Sequence, residues 1–178
     1  MITVAAPCPD RVTRVPVTAP ALRKRPRLRA QHLQTMGVVP RASAVSDARR
    51  AVKQILARWG VAGEPLCRAE LFAGELLANA LHHAAPADGE EIGLLLAEGG
   101  GAVLIEVEDG GGADTPAARG RGGEDGSCER GRGLALVEEL GWWGWRTWPD
   151  GHRTTWAYLP ARGEGWWRSP LRPKATPS

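Results

Sequence analysis

The sequence has few residues of the kinds that crosslink a protein or anchor it in a bilayer. Its 178 residues include three cysteines, one tyrosine and one phenylalanine. Cys8, Cys67 and Cys128 lie far apart and no Cys-x-x-Cys spacing occurs, so neither a zinc site nor a disulfide framework is indicated. No apolar stretch approaches the ~20 residues that cross a bilayer. The first residues also lack the apolar segment of a secretory signal. We therefore expect a cytoplasmic protein without membrane contact.

The charge is unevenly distributed along the chain. Positions 11–29 carry seven basic residues and no acidic one, whereas positions 30–160 hold 12 basic and 18 acidic residues, a net charge of −6. The basic segment is either a solvated leader or an arm that attracts nucleic acid or an acidic partner. No aromatic residue interrupts it, so base stacking is not supported and specific nucleic-acid binding is not expected.

Glycine and proline cluster in particular segments, which divides the chain into three parts. Five of the 14 prolines fall within positions 1–30, and the last residues are again rich in Pro and Arg. We predict a disordered basic arm over 1–32, one folded domain over 33–160 and a flexible tail over 161–178. A content of 43% hydrophobic residues is enough for the core of one such domain.

Two helices are predicted in the first half of the domain. After Ser43, a candidate N-cap, apolar residues recur at spacings of three and four, and Gly60 follows as a C-cap. Pro65 suits the first turn of a second helix that runs to about Ala84. The apolar positions of the first helix are Val45, Ala48, Val52, Ile55, Leu56 and Trp59, and those of the second are Ala69, Phe72 or Ala73, Leu76 and Ala80.

Five strands are predicted around these helices. Positions 33–39 form the first, and 91–97 and 102–108 form a hairpin joined by a glycine-bearing link. Positions 142–148 and 154–159 form a closing antiparallel pair that turns at Pro149-Asp150-Gly151. A short helix from Gly133 to Leu140 precedes that pair. The order predicts an α+β fold, a two-layer sandwich with helices on one face of a largely antiparallel sheet.

The second helix carries polar residues that suit chemistry. Glu75 and Asn79 are four residues apart and therefore share one face of the helix, with His82 or His83 one turn further along. One interpretation is an ordinary solvent-facing stripe, and the other is a binding site. The two histidines are equally compatible with a flanking polar or core role.

Two glycine-rich segments follow, and each suits a nucleotide. Asp109 ends a strand and precedes Gly110-Gly111-Gly112, so its carboxylate is placed to accept a hydrogen bond while the glycines let a ligand approach the backbone. Nine of the 25 residues from 109 to 133 are glycine, and such a long loop is often functional. Gly131-Arg132-Gly133 leads directly into a helix start, where free N–H groups favour phosphate. Neither the dinucleotide fingerprint nor a P-loop is present.

In this order, the three elements resemble the histidine-kinase-like ATPases, and most closely the anti-sigma-factor serine/threonine kinase branch found in actinobacterial regulators. The segment from Glu75 to Ala84 is similar to that branch's N box. Val107–Gly111 is similar to its first glycine box, and Arg130–Val137 to its second. Positions 140–146 and 154–159 resemble the strands that follow. The resemblance covers about residues 35–160, and one departure is Ala113, where sensor kinases place a glycine.

The resemblance implies a Bergerat-type ATP-binding fold that uses ATP and Mg²⁺. Asn79 would ligate Mg²⁺ through its side-chain oxygen. Asp109 would read the adenine amino group with Gly111 beside it, and Thr154 would support the adenine side. Glu75 would be the general base that takes a proton from a serine or threonine hydroxyl. The remaining residues implied to line the nucleotide are His83, Gly131, Arg132, Gly133 and Leu134.

The function that this resemblance implies is a regulatory kinase acting on proteins. Its partners would be a sigma factor and an anti-sigma antagonist protein, and a homodimer is possible. No phosphoacceptor-histidine helix pair is seen before the domain, so a sensor histidine kinase is not expected. The alternative is an ATP-gated binding module without kinase activity, in which ATP orders the glycine loop and the loop shapes a partner surface.

Overall fold

The computed structural model describes residues 2–5, 25, 27–83, 90–111, 137 and 140–161, with the backbone alone at 2–5 and 83. Six strands and two helices lie within these residues. In chain order they are β1 (Ile2–Ala5), β2 (His32–Val38), α1 (Ala44–Arg58), α2 (Glu64–His83), β3 (Ile92–Gly99), β4 (Ala102–Asp109), β5 (Trp142–Thr147) and β6 (Arg153–Pro160). The elements confirm the predicted α+β class.

The strands form one antiparallel sheet in the order β1-β2-β3-β4-β6-β5. The predicted hairpin pairs Gly93 with Glu108 at one end and turns through Gly100 and Gly101, both at positive φ. The predicted closing pair turns through Pro149-Asp150-Gly151, as expected, and Gly151 has a φ of 91°. Since β6 pairs with β4, the last hairpin places its turn beside the C-terminal end of β4.

Helix α1 forms as its apolar spacing predicts. The inward face is fully buried, and Gly60 at φ 82° follows the last turn. The Ser43 side chain makes no capping hydrogen bond to the backbone; its Oγ instead donates to Oδ2 of Asp47 at 2.9 Å. That bond, together with Arg50 and Arg41, lowers the pKa of Asp47 to about 2. The buried residues of α1 are Ala44, Ala48, Val52, Ile55 and Leu56.

Helix α2 packs on α1 and on the middle of the sheet. Its predicted apolar stripe is confirmed, and Phe72 is the largest fully buried side chain. Burial of such a side chain contributes about 1.5–3 kcal/mol. Neither α1 nor α2 is long and apolar enough to cross a membrane, and these are the helices that the described residues form. The buried stripe of α2 consists of Ala69, Phe72, Ala73, Leu76, Leu77 and Ala80.

The two faces of the sheet are both apolar but unequal. The inner face, which lies under the helices, contributes to the main core through Val103, Ile105, Val107, Ala157 and Leu159 among others. The outer face carries a smaller cluster of Ala97, Ala102, Leu104, Trp156 and Tyr158, with Leu28 packed against it. Alternation along β5 places Trp143 with the inner core and Trp142 with the outer cluster.

Part of the segment predicted as a disordered arm has a defined position. Ile2–Ala5 form β1, because they pair with Val38–Thr35 at the free edge of β2. Further along, Arg25 makes an ion pair with Glu106 on the outer face. Pairing between distant segments is not visible in local composition, which is why the sequence pointed to disorder here. Residues 27–32 of the predicted arm are described as well, with Leu28 against the outer cluster and His32 at the start of β2. The other residues of the arm and nearly all of the predicted tail lie outside the described residues.

Candidate functional site

The polar face of α2 lies at the border between core and solvent. Glu75 and Asn79 are both half-buried, and their neighbours Leu76, Leu77 and Ala80 are fully buried. The Glu75 side chain is 29% exposed. This half-burial fits a binding site as well as a solvent-facing stripe, since the exposed His82 lies on the same side of the helix as Glu75. The carboxylate of Glu75 and the carboxamide of Asn79 lie on consecutive turns, where both can reach one ligand.

Arg49 of α1 extends over α2 to reach Glu75. Its side chain occupies the space that a Cβ on Gly74 would need, so the glycine permits the crossing. Nη2 of Arg49 lies 3.4 Å from Oε1 of Glu75. The Arg49 side chain is 37% exposed, and its buried Nε has no hydrogen-bond partner within the described residues. A single long contact at this exposure is weak, so it orients Glu75 without fixing it.

Helix α2 contacts the central strands β4 and β6. Near the middle of the helix, the Phe72 ring lies close to Gly141, where it would meet a Cβ at 2.8 Å. Asn79 lies two turns further along, in the C-terminal half of α2. Beside the end of β4, Oε1 of Glu90 would lie 3.3 Å from a Cβ on Gly110.

Asp109 closes β4 and is buried on the inner face. Its side chain is 1% exposed, and Oδ1 accepts a hydrogen bond from the backbone N–H of Gly111 at 2.8 Å. Gly111 has a φ of 78°, and a Cβ there would overlap the carbonyl oxygen of Gly151. Glycine is thus required at 111 for two reasons, conformation and close approach. The turn after β4 is consequently packed on the β5–β6 turn.

Arg153 is a residue of this site that the sequence analysis did not identify. It is the register partner of Asp109 across β4 and β6, and its side chain is 4% exposed. Its Nη2 lies 3.2 Å from each carboxylate oxygen, and its Nε donates to Oδ2 at 3.3 Å. The first basic residue of a strand is an ordinary sequence feature. Only the register of β6 against β4 identifies it as the partner of the carboxylate.

Thr154 does not lie beside Asp109. Alternation along β6 puts Arg153, Thr155 and Ala157 on the inner face, and Thr154 with Trp156 on the outer face. The Thr154 hydroxyl accepts a hydrogen bond from Nε1 of Trp148 at 2.8 Å. The role expected of Thr154 on the adenine side stays a prediction. Arg153 holds the inner-face position next to Asp109, because a one-residue offset along a strand changes the face.

Several predicted site residues cannot be placed in this geometry. Gly131, Arg132, Gly133 and Leu134 lie outside the described residues, as does the side chain of His83. Val137, within the predicted short helix, is helical and fully buried in the main core. Within the described residues, no group of three or more His, Cys, Asp or Glu side chains is arranged to hold a metal ion.

One comparison with known proteins identifies a family for this chain. The family model of the histidine kinase-like ATPase domain matches residues 38–142. A comparison with curated proteins gives no match. The matched segment spans more than half of the chain and contains α1, α2, β3 and β4, and with them Glu75, Asn79 and Asp109. The chain therefore belongs to the histidine kinase-like ATPase domain family, which implies that it binds ATP.

Proposed function

We propose that this protein is an ATP-dependent protein serine/threonine kinase of the anti-sigma-factor type, which phosphorylates a protein antagonist. The observation that carries the proposal is the joint position of Glu75 and Asn79. Both are half-buried on a helix whose opposite face is packed in the core. A carboxylate one turn from an amide suits a base placed next to a phosphate-bound cation. The anti-sigma assignment itself depends on the resemblance of the three motifs.

Glu75 is suited to act as the general base. A base must reach the hydroxyl of an incoming serine or threonine, which requires a partly exposed carboxylate with rotational freedom. Glu75 retains both, since its contact to Arg49 is single and 3.4 Å long. The proton of the hydroxyl would pass to Glu75 while the oxygen attacks the γ-phosphorus of ATP, and the bond from that phosphorus to the β–γ bridging oxygen would break, so that ADP leaves with the electron pair. Most of the catalytic effect in such transfers comes from positioning and charge neutralisation.

Asn79 fits the Mg²⁺ that the family implies. Its carboxamide oxygen is a hard ligand, and Mg²⁺ is commonly held by one or two protein oxygens together with phosphates and waters. The described residues offer no ready-made cage of acidic side chains, which agrees with a metal that binds only with the nucleotide. When bound, Mg²⁺ neutralises phosphate charge. Asn79 contributes orientation, because its helix turn is fixed by the packing of Leu76 and Ala80.

Asp109 is assigned to the base end of the same nucleotide. A buried carboxylate at the end of a central strand is a fixed acceptor for an amino group, and Gly111 keeps the adjoining backbone clear of side chains. A sigma factor and its antagonist are the proposed protein partners, and a homodimer is the proposed assembly. These partners come from the resemblance and are the parts of the proposal that need biochemical identification.

The first test is calorimetric titration of the full chain with ATP, with and without Mg²⁺. We expect binding that Mg²⁺ strengthens, and we expect Asn79→Ala to lose most of that strengthening while it keeps Mg²⁺-free binding. An Asn79→Ala protein that responds to Mg²⁺ like the unmodified chain would contradict the role of Asn79.

The second test follows labelled γ-phosphate from ATP to a serine or threonine of a co-purified protein partner. Glu75→Gln should lower the rate of transfer at least tenfold. The loss should not exceed the roughly 10²–10⁴-fold that general-base catalysis typically contributes. The matched control is Glu70→Gln, because Glu70 makes a comparable 3.4 Å pair with Lys53 between the same two helices. Equal rates for the two variants would reject Glu75 as the base. ATP binding without any transfer would favour an ATP-gated binding module instead.

A further inference from the structure

Asp109 makes most of the hydrogen bonds that its carboxylate can accept within the protein itself. An ionised carboxylate has about four acceptor positions. Gly111 N–H occupies one on Oδ1, and the Arg153 guanidinium lies within hydrogen-bond distance of both oxygens. With side-chain exposures of 1% and 4%, water does not replace these contacts. The carboxylate assigned to base recognition is therefore already occupied.

We propose that Arg153 is an intramolecular competitor for the nucleotide base, and that it must leave at least one oxygen of Asp109 when adenine binds. This inference rests on the role of Asp109 in the proposed function. The guanidinium and the exocyclic amino group of adenine are both N–H donors, and both are directed to the same acceptor. A charged, bidentate donor is the stronger of the two, so the exchange reduces nucleotide affinity.

The position of Arg153 confines the competition with adenine to one of the two groups that donate to Asp109. Arg153 faces Asp109 directly in the β4–β6 register, so the pair forms whenever these two strands are paired. By contrast, the Gly111 N–H is part of the turn that Gly151 holds in place, and it stays on Oδ1. The exchange is therefore confined to the guanidinium. The strength of the Arg153–Asp109 pair therefore determines how much the bond between adenine and Asp109 contributes to ATP affinity.

The test measures binding of MgATP and of Mg-purine riboside triphosphate, which lacks the amino group. In Arg153→Gln, a neutral amide replaces the competing guanidinium, and we expect ATP to bind about tenfold tighter, which is about 1.4 kcal/mol. The purine analogue should bind both proteins equally, because it makes no bond to the carboxylate. Arg153→Lys should give a smaller gain with ATP, since an ammonium lacks the planar fork.

The control is Arg146→Gln, which makes the same change in charge on the adjacent strand. Arg146 pairs in register with Thr154 and stacks over Trp148 at 4.1 Å on the outer face. The Arg146→Gln variant should leave the affinities for MgATP and for the purine analogue unchanged. Should Arg153→Gln fail to fold, Arg153→Lys carries the comparison alone, because it keeps a cation beside the buried carboxylate.

Three results would overturn the inference. The first is weaker or unchanged ATP binding in the folded Arg153 variants, while the unmodified chain binds ATP. The second is an equal gain for ATP and for the amino-free analogue, since that gain does not involve Asp109. The third is a gain of the same size in Arg146→Gln. If the unmodified chain binds no ATP at all, the proposed function fails along with the inference.

Discussion

Two arginine–carboxylate pairs lie in the candidate site, and they differ in burial. Arg153 and Asp109 are 4% and 1% exposed and are joined through both carboxylate oxygens. Arg49 and Glu75 are 37% and 29% exposed and share one contact of 3.4 Å. Water screens the second pair and not the first. The adenine side of the site, at Asp109, is therefore a fixed part of the fold. The side assigned to proton transfer, at Glu75, keeps a carboxylate that can change its position.

The two pairs should differ most in how much stability is lost when the carboxylate is removed. Asp109→Ala takes away the acceptor of two buried guanidinium bonds and one backbone bond, so we expect a loss of about 3–5 kcal/mol in the free energy of unfolding. The double variant Asp109→Ala/Arg153→Met should recover most of it. Denaturant unfolding measures both. A loss below about 1 kcal/mol, as expected for a screened pair like that of Glu75, would remove the distinction between the two sides.

A second effect, of intermediate size, concerns the backbone next to Asp109. Gly111→Ala introduces a Cβ at positive φ and against the Gly151 carbonyl. We expect a loss above about 2 kcal/mol, since the conformation alone costs roughly 1–2 kcal/mol. Gly151→Ala is the matched control, because its φ is 91° but nothing lies within 4 Å of its Cβ. Thermal unfolding of both proteins separates strain from overlap, and equal losses would show that the close approach is unimportant.

The smallest effect is expected at a third carboxylate, on the surface of α1. Asp47 has a pKa of about 2, chiefly because Ser43 donates to it, with Arg50 and Arg41 adding to the effect. Because the folded pKa lies below the ordinary aspartate value of 3.8, the contribution of Asp47 to stability is complete above about pH 4 and is lost between pH 4 and pH 2. Asp47→Asn should be less stable than the unmodified chain at pH 6 and equal to it near pH 2. A difference that persists at pH 2 would contradict this origin.

The sequence predicted the secondary structure well wherever one periodic pattern controlled it. The apolar spacing of α1 and α2 matched the buried stripes, and Gly60 and Pro149-Asp150-Gly151 marked the chain reversals as expected. Strand β1 was missed, because its pairing with β2 involves residues 30 to 36 positions away. Local composition carries no information about such a partner.

The site was predicted less completely, because the register between β4 and β6 cannot be read from the sequence. Glu75 and Asn79 could be grouped from their helical spacing, and Asp109 could be recognised from the glycines after it. Arg153 was not identified, since both faces of β6 are apolar and alternation alone does not orient that strand. Only the pairing of Asp109 with Arg153 decides the orientation.

Strand β4 has neighbours on both edges and apolar cover on both faces, and all but one of its eight residues are buried. Its amide hydrogens should therefore be the slowest in the domain to exchange with deuterium, because few partial openings expose them. Asp109 terminates this strand. The carboxylate assigned to adenine recognition is thus attached to the strand expected to unfold last. It should stay in place during partial unfolding in which the helices detach from the sheet.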